Sequence, residues 1–403
     1  MGLDDKEGDS LNWVMRLIVD SKIPYAKDAF GTLGEVLLLD AKQIVRSSVR
    51  DADVLVVRSE TRVGDDLLKG SRVRFVGTTT IGTDHVDVAY LARQEISFAS
   101  APGSNANSVA EYVVAALLFL AERLGFALKG STLGVVGVGN IGSIVVRYAT
   151  ALGMRVLQND PPLARKTGNP LYRPLDEIMD ADVVTLHVPL TREGQDATFH
   201  FFDEPRIARL KRDCILINTS RGGVVETSAL KEALARRKVT AAVLDVWEYE
   251  PAIDIDLLKL TTLATPHIAG YSIDGKVNGT CMIYESLCRH LGVQPLWLPD
   301  LREKRSTISG EKTLEHCSAL ERAAREIVRR CYDIERDDRE LRRVLSLRTE
   351  ERSECFRRLR REYAERWEFK HATVTLPPEE KSLGGLLVAL GFSIQYGSLG
   401  SAT

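Results

Sequence analysis

Short, uninterrupted apolar runs recur through most of this chain, each bounded by polar or turn-forming residues. Leu17-Ile18-Val19, Val54-Leu55-Val56-Val57 and Phe75-Val76 are the first three. Runs this short, without strict alternation, read as strands buried on both faces, and the stretches between them read as helices or loops. Strands alternating with helices predict a small α/β unit with a parallel sheet over residues 15–107. Next, Val109, Tyr112, Val113, Ala116, Leu117 and Leu120 recur at helical spacing behind Ser108-x-x-Glu111, which has the form of a capping box. That helix is expected to link two domains. The strand rhythm then resumes at Leu133-Gly134-Val135-Val136 and again at 155–159, 183–187, 214–218, 240–245 and 262–264, with helices expected over 141–152 and 228–237. Right-handed crossovers would stack these strands into a doubly wound sheet.

The pattern changes near 295. Beyond it the chain is rich in Arg and Glu and loses the strand–helix rhythm. Leu314, Cys317, Leu320, Ala324, Ile327 and Cys331 fall on one helical face, and Cys355, Phe356, Leu359, Tyr363 and Trp367 on another. A strand is expected at 373–376 and a closing apolar element at 383–390. The arginine pairs Arg357-Arg358 and Arg360-Arg361 are interleaved with glutamates, which points to a solvated or subunit-facing helix. The formal net charge of −2 gives no bias towards nucleic acid or an anionic membrane, so neither is an expected partner. The apolar core of the linking helix is too short to span a bilayer and contains Glu111. The 6 cysteines show no metal-ligand spacing and read as free thiols of a reducing compartment. Residues 1–14 are polar and acidic, unlike a signal peptide, so the cytoplasm is the expected location.

One run carries most of the chemical information. Val135 and Val136 lead into Gly137-Val138-Gly139-Asn140-Ile141-Gly142, and Asp160 lies 18 residues after Gly142, at the end of the second strand of this unit. Gly137 suits a tight turn, Gly139 lets the backbone approach a pyrophosphate, and Gly142 lets the following helix pack closely. The helix directs its N–H groups and positive dipole end at the phosphates. A carboxylate at Asp160 accepts from a ribose 2′-hydroxyl and repels a 2′-phosphate, which favours NAD over NADP.

Three ionisable groups follow later strands of the same unit: Arg221, Glu250 and His267. In a doubly wound sheet, ligands lie outside the carboxyl ends of the strands. Oxidising a secondary alcohol by hydride transfer needs a base for the hydroxyl proton and a cation for the substrate carboxylate. His267 suits the first role, Arg221 the second, and Glu250 beside the imidazole would orient it. Each also has a structural reading: a core histidine donating to a carbonyl, a surface acid, a capping arginine. Their joint position after successive strands favours the chemical one.

The stretches 135–142, Ile217-Asn218-Thr219-Ser220-Arg221-Gly222, Leu244-Asp245-Val246-Trp247-Glu248-Tyr249-Glu250-Pro251 and Thr265-Pro266-His267-Ile268-Ala269-Gly270 resemble the signatures of the D-isomer-specific 2-hydroxyacid dehydrogenases. The resemblance implies Arg221, Glu250 and His267 as the catalytic set. It implies NAD contacts at Gly137, Gly139, Asn140, Ile141, Gly142, Asp160, Val188, Thr219, Ser220, Arg221, Asp245 and Gly270. It also implies an architecture: a doubly wound Rossmann NAD domain (108–270) inserted in a smaller flavodoxin-like α/β substrate domain (15–107 and 271–294). A C-terminal α+β dimerisation domain (295–392) would follow, with 1–14 an N-terminal extension and 393–403 a tail. Val57-Arg58-Ser59-Glu60-Thr61, residues 75–87 and residues 270–276 resemble members acting on a phosphorylated 2-hydroxy acid, with Arg58, Ser59, Thr80 and Tyr271 as substrate contacts. The expected assembly is a homodimer. Two rivals stay open: another member acting on a phosphoglycerate- or glyoxylate-type substrate, and an NAD-sensing corepressor-like binding protein.

Overall fold

Alternation along each strand sorts apolar side chains onto two faces, and both faces are then covered. The computed structural model describes residues 14–301, 306–310 and 320–397. Leu314, Cys317, the extension up to residue 13 and the end of the expected tail lie outside the described residues. The chain divides into two compact units, one made of residues up to Ser104 with Lys276–Asp300, the other of Asn105–Gly275 with Leu301–Thr403.

In the first unit, β1 (Arg16–Asp20), β2 (Glu35–Leu39), β3 (Val54–Val57), β4 (Phe75–Thr78) and β5 (Ser97–Ala99) form a parallel sheet in the order β2-β1-β3-β4-β5. This is the flavodoxin-like order. Leu17, Val19, Val54 and Val56 face one side with Phe30, Ile283 and Leu287. Ile18, Leu55, Val57 and Val76 face the other with Leu68 and Leu91. Gly77 makes room for the helix over Ile273–Leu291, since a Cβ there would lie 2.4 Å from the Ile283 side chain. The edge strands β2 and β5 were not expected. β5 has only three half-buried residues, and the apolar run in β2 does not distinguish strand from helix by periodicity alone.

The second unit is built on β6 (Thr132–Val136), β7 (Arg155–Asn159), β8 (Val183–Leu186), β9 (Cys214–Asn218), β10 (Val239–Leu244) and β11 (Leu263–Ala264). All pairings are parallel, in the order β11-β10-β9-β8-β6-β7. An isolated parallel bridge between Gln158 and Tyr172 marks a rudimentary strand position outside β7. With it, the arrangement is the doubly wound one, whose switch point lies between β6 and β8. The helices Asn140–Ala151 and Thr227–Ala235 agree with expectation to within a residue or two.

The region after 300 brings the larger differences. β12 (Ser306–Ser309), β13 (Ala372–Leu376) and β14 (Ser393–Tyr396) form a third parallel sheet, so residues expected as the start of a tail are a strand. The helix Thr349–Arg361 ends before Tyr363 and Trp367, which the sequence pattern had placed on its face. Ala324, Ile327, Phe369, Val374 and Leu387 share one apolar core with Val113, Leu117 and Tyr148 of the nucleotide-binding portion. Arg342 donates to the carbonyls of Leu258 (3.1 Å) and Thr261 (2.7 Å), and Asp338 accepts from Ala264 N–H at 2.8 Å.

Ser108 and Glu111 do not form a capping box. The helix Ala106–Leu124 begins two residues before Ser108, with Asn105 as its cap. Ser108 Oγ instead donates to Glu368 (2.7 Å), and Glu111 accepts from Phe369 N–H (2.8 Å) and Asn107 (3.0 Å). Buried Asp274 accepts from Glu368 N–H, Lys370 and His371. Glu111 and Asp274 satisfy backbone N–H groups of the returning C-terminal segment and Ser108 meets its Glu368 carboxylate, which is why Ser108 and Glu111 are buried on an otherwise apolar helix. Among the described residues no helix is long and apolar enough to cross a membrane.

Candidate active site

The glycine run forms its turn directly after β6. Gly137 has φ +86°, and a Cβ there would come within 2.6 Å of the His187 carbonyl oxygen. Gly142 starts the close packing of the helix Asn140–Ala151: a Cβ would lie 2.0 Å from the Gly137 carbonyl oxygen. Gly139 differs, because nothing lies within 4 Å of where its Cβ would be. A bulky group can therefore approach the backbone there, beside the helix N–H groups of Asn140 and Ile141. Asp160 closes the site from β7, accepting from Val138 N–H and Leu163 N–H, each at 2.9 Å. Each carboxylate oxygen keeps further acceptor capacity, so the loop fits a pyrophosphate and the acid fits a ribose diol.

Val188 lies over the turn, its methyl 2.9 Å from the position of a Gly137 Cβ. Below it, His187 bridges the hydroxyls of Thr185 (3.0 Å) and Thr219 (3.2 Å). Burial pushes its imidazole down to about 3, so it is a neutral strut. Ser220 is held by Asn218, whose Oδ1 accepts from the Ser220 N–H and hydroxyl. Arg221 follows, with Nη1 donating to the Ser220 carbonyl at 2.8 Å. Its loop is pressed against the next one: a Cβ on Gly222 would fall 1.9 Å from the Trp247 carbonyl carbon. Only glycine permits that approach.

Glu250 and His267 are brought together by the loops after β10 and β11. Glu250 Oε1 pairs with His267 Nδ1, and Oε2 accepts from Trp247 N–H at 3.2 Å. Burial alone would raise the Glu250 carboxyl, but the His267 charge and hydrogen bond, the Arg360 guanidinium and Trp247 N–H bring it below its ordinary value. An ionised carboxylate on Nδ1 fixes the proton there and leaves Nε2 as the acceptor.

His267 adopts φ +59°, an uncommon left-handed conformation for a non-glycine residue. Asp245 holds it in place. Its carbonyl accepts from His267 N–H at 2.7 Å; its carboxylate accepts from the Thr265 hydroxyl and Ile268 N–H, both at 2.7 Å, and from Ala269 N–H at 3.0 Å. Burial raises this carboxyl above its ordinary value despite those donors and the His267 charge. Gly270 continues the loop, lying so close to Asn105 that a Cβ would be 2.0 Å from its Nδ2.

The remaining sequence candidates are placed as follows. Arg58 Nε lies 3.2 Å from the buried Asp20 carboxylate, the structural pairing that competes with a ligand role. Ser59 is exposed just beyond β3. Thr80 donates to the Gly82 carbonyl and shares a hydrogen bond with Thr78, both at 2.8 Å. Tyr271 receives a 3.3 Å hydrogen bond from Arg360 Nη2. Arg360 was read from sequence only as part of a solvated or subunit-facing basic run. Arg357 and Arg361 do sit in surface ion pairs with Glu354, but Arg360 turns inward. The signal was available: Arg360 lies four residues after Phe356 and three before Tyr363, on the apolar face.

Residues 118–269 match the D-isomer specific 2-hydroxyacid dehydrogenase NAD binding domain, and residues 308–391 match a domain of unknown function. An erythronate-4-phosphate dehydrogenase of Salinibacter ruber is 49% identical over 89% of this chain and 94% of its own. The chain belongs to the erythronate-4-phosphate dehydrogenase family. A member from Cronobacter sakazakii is 43% identical over 95% of this chain and 99% of its own. Among solved structures, D-lactate dehydrogenase from Aquifex aeolicus, complexed with NAD and lactic acid, is 28% identical with TM-score 0.55, covering 69% of this chain and 95% of its own. NAD-dependent formate dehydrogenase from Staphylococcus aureus shares the fold at 23% identity and TM-score 0.57, covering 69% and 96%. The chain is thus an NAD-dependent 2-hydroxyacid dehydrogenase with a Rossmann-like cofactor sheet and a further C-terminal domain.

Proposed function

We propose that this enzyme oxidises 4-phospho-D-erythronate at C2 to 3-hydroxy-2-oxo-4-phosphooxybutanoate, a step of pyridoxal 5′-phosphate biosynthesis. The observation carrying the chemistry is the Glu250–His267 pair, which leaves Nε2 to accept a proton. The substrate is taken from the name shared by the relatives. Bound NAD supplies the acceptor for the C2 hydride. His267 Nε2 takes the hydroxyl proton as the carbonyl forms, and Glu250 stabilises the resulting imidazolium. Arg221 holds the substrate carboxylate and polarises the developing carbonyl. Gly137, Gly139, Asn140, Ile141, Gly142 and Asp160 hold the pyrophosphate and ribose, with Val188, Thr219, Ser220, Asp245 and Gly270 lining the rest of the cofactor path. Ser59, Thr80 and Tyr271 contact the substrate, with Arg58 as a further contact.

The division into a substrate domain (15–107 and 271–294), an NAD domain (108–270) and a dimerisation domain (295–392) is part of this reading, as are a homodimer and a cytoplasmic location. The test is NADH absorbance on mixing enzyme and NAD with 4-phosphoerythronate or 3-phosphoglycerate. Faster turnover of 3-phosphoglycerate would overturn the substrate, and no turnover of any 2-hydroxy acid would overturn the reading. Light scattering on the full chain tests the dimer, which a monomer mass refutes.

A further inference from the structure

Burying a guanidinium is costly, and a buried arginine ordinarily sits against a carboxylate. Arg360 departs from this. Its Nε is enclosed and has no hydrogen-bond partner. Among the described residues it makes no ion pair, whereas Arg357 and Arg361 of the same helix are paired at the surface. Its one hydrogen bond goes to the Tyr271 hydroxyl, with the guanidinium carbon 5.8 Å from that ring's centroid. Tyr271 is itself backed edge-on by Tyr363, at 6.0 Å and 77°.

The acids whose charge Arg360 feels are Glu250 and Asp245. Both are committed elsewhere: Glu250 to His267 and Trp247 N–H, Asp245 to Thr265, Ile268 N–H and Ala269 N–H. A fixed cation with an unused donor therefore stands on Tyr271, four residues along the chain from His267. It comes from the segment that matches a domain of unknown function, outside the match to the dehydrogenase NAD binding domain. A second anion on the substrate would satisfy it, and a planar fork of N–H donors suits phosphate oxygens.

We infer that Arg360, with Tyr271, binds the phosphate group of the substrate, so that the C-terminal domain supplies a specificity element to the active site. This rests on the functional reading above and deepens it. Arg221 then serves the carboxylate end and Arg360 the phosphate end. A member of the wider fold lacking this domain would lack the second cation.

The experiment compares wild type, Arg360→Gln and Arg360→Lys, first by calorimetric titration with inorganic phosphate in the presence of NAD. Steady-state kinetics follow, on 4-phosphoerythronate and on unphosphorylated erythronate. Arg360→Gln should weaken phosphate binding and raise KM for the phosphorylated acid by roughly tenfold to hundredfold, as expected for losing a charge-assisted hydrogen bond. The KM for NAD should not change, and kcat/KM should fall much further on 4-phosphoerythronate than on unphosphorylated erythronate. Arg360→Lys, which keeps the charge without the fork, should be intermediate, and it carries the test if the Gln variant does not fold. Equal loss of kcat on both acids would mean that Arg360 acts only through Glu250 and would overturn the inference, as would unchanged phosphate binding. Phosphate binding lost in Arg360→Gln, in an enzyme that does not oxidise 4-phosphoerythronate, would sink the substrate assignment and leave the anion site standing.

Discussion

Asp245 and His267 are tied backbone to backbone, with the Asp245 carbonyl accepting from His267 N–H at 2.7 Å while the Asp245 carboxylate collects the donors on either side. The imidazole is thus aimed by an acid that need not touch it. A left-handed histidine persists only where its surroundings over-determine it, and Asp245 provides that constraint.

Replacing Asp245 with Ala should therefore disorder the His267 loop. Thr265 Oγ1, Ile268 N–H and Ala269 N–H would lose their acceptor, at a cost of about 2–4 kcal/mol in stability. Chemical denaturation and kcat are the readouts, and turnover should fall by about a hundredfold. Native turnover in a protein of native stability would refute the clamp.

Glu250→Gln should separate orientation from charge. The Glu250 carboxyl lies below its ordinary value in the fold, so its ionised form contributes stability that is present above the unfolded value of 4.5 and lost as pH falls through the lower folded one. The variant should be about 1 kcal/mol less stable than wild type at pH 7. That gap should close in acid, as denaturation at pH 7 and at successively lower values will show. A gap that widens on acidification would have the wrong sign.

Two glycines of one loop should respond differently. Gly142→Ala sets a Cβ 2.0 Å from the Gly137 carbonyl oxygen, a backbone atom, so the melting temperature should drop along with NAD affinity. Gly139→Ala meets nothing within 4 Å, so the melting temperature should fall less than in Gly142→Ala. NAD affinity should still fall, by roughly tenfold, because the methyl occupies the space left for the pyrophosphate. Calorimetry with NAD and differential scanning fluorimetry check both. Unchanged NAD binding in Gly139→Ala would misplace the pyrophosphate.

Glu111 provides a pH-dependent term. Burial, and then the charge of Glu368, raises its carboxyl well above 4.5, and one of its oxygens has no partner. A raised carboxyl contributes stability that is complete below its unfolded value and is lost as pH rises through the folded value. Stability measured by urea unfolding should decline with increasing pH in wild type, and Glu111→Gln should flatten that decline. An equal slope in both proteins would remove Glu111 from the account.

Much of the scaffold was legible because its signals are local. A run such as Val54-Leu55-Val56-Val57 declares a two-sided strand, and Gly137, Gly139 and Gly142 declare a turn and a close helix by their missing side chains. Arg360 was legible only in part. Its helical register with Phe356 and Tyr363 showed that it lay on an apolar face, but nothing along the chain says what that face covers. Ser108 and Glu111 were misread for a related reason. Their spacing fits a capping box, and only the segment around Glu368 and Phe369, which arrives from far along the sequence, reveals which donors and acceptors they serve.

What the amino-acid order determined by itself was the alternation of strands and helices, the nucleotide-binding turn and the residue types able to move a proton. Those depend on periodicity and on backbone freedom within a few neighbouring residues. Tertiary structure alone decided that Glu250 meets His267, that Asp245 faces the histidine loop, and that the C-terminal helices share a core with the cofactor sheet and turn Arg360 inward. Such contacts join residues distant in sequence, and burial then sets their charge and hydrogen bonding, which no local pattern encodes.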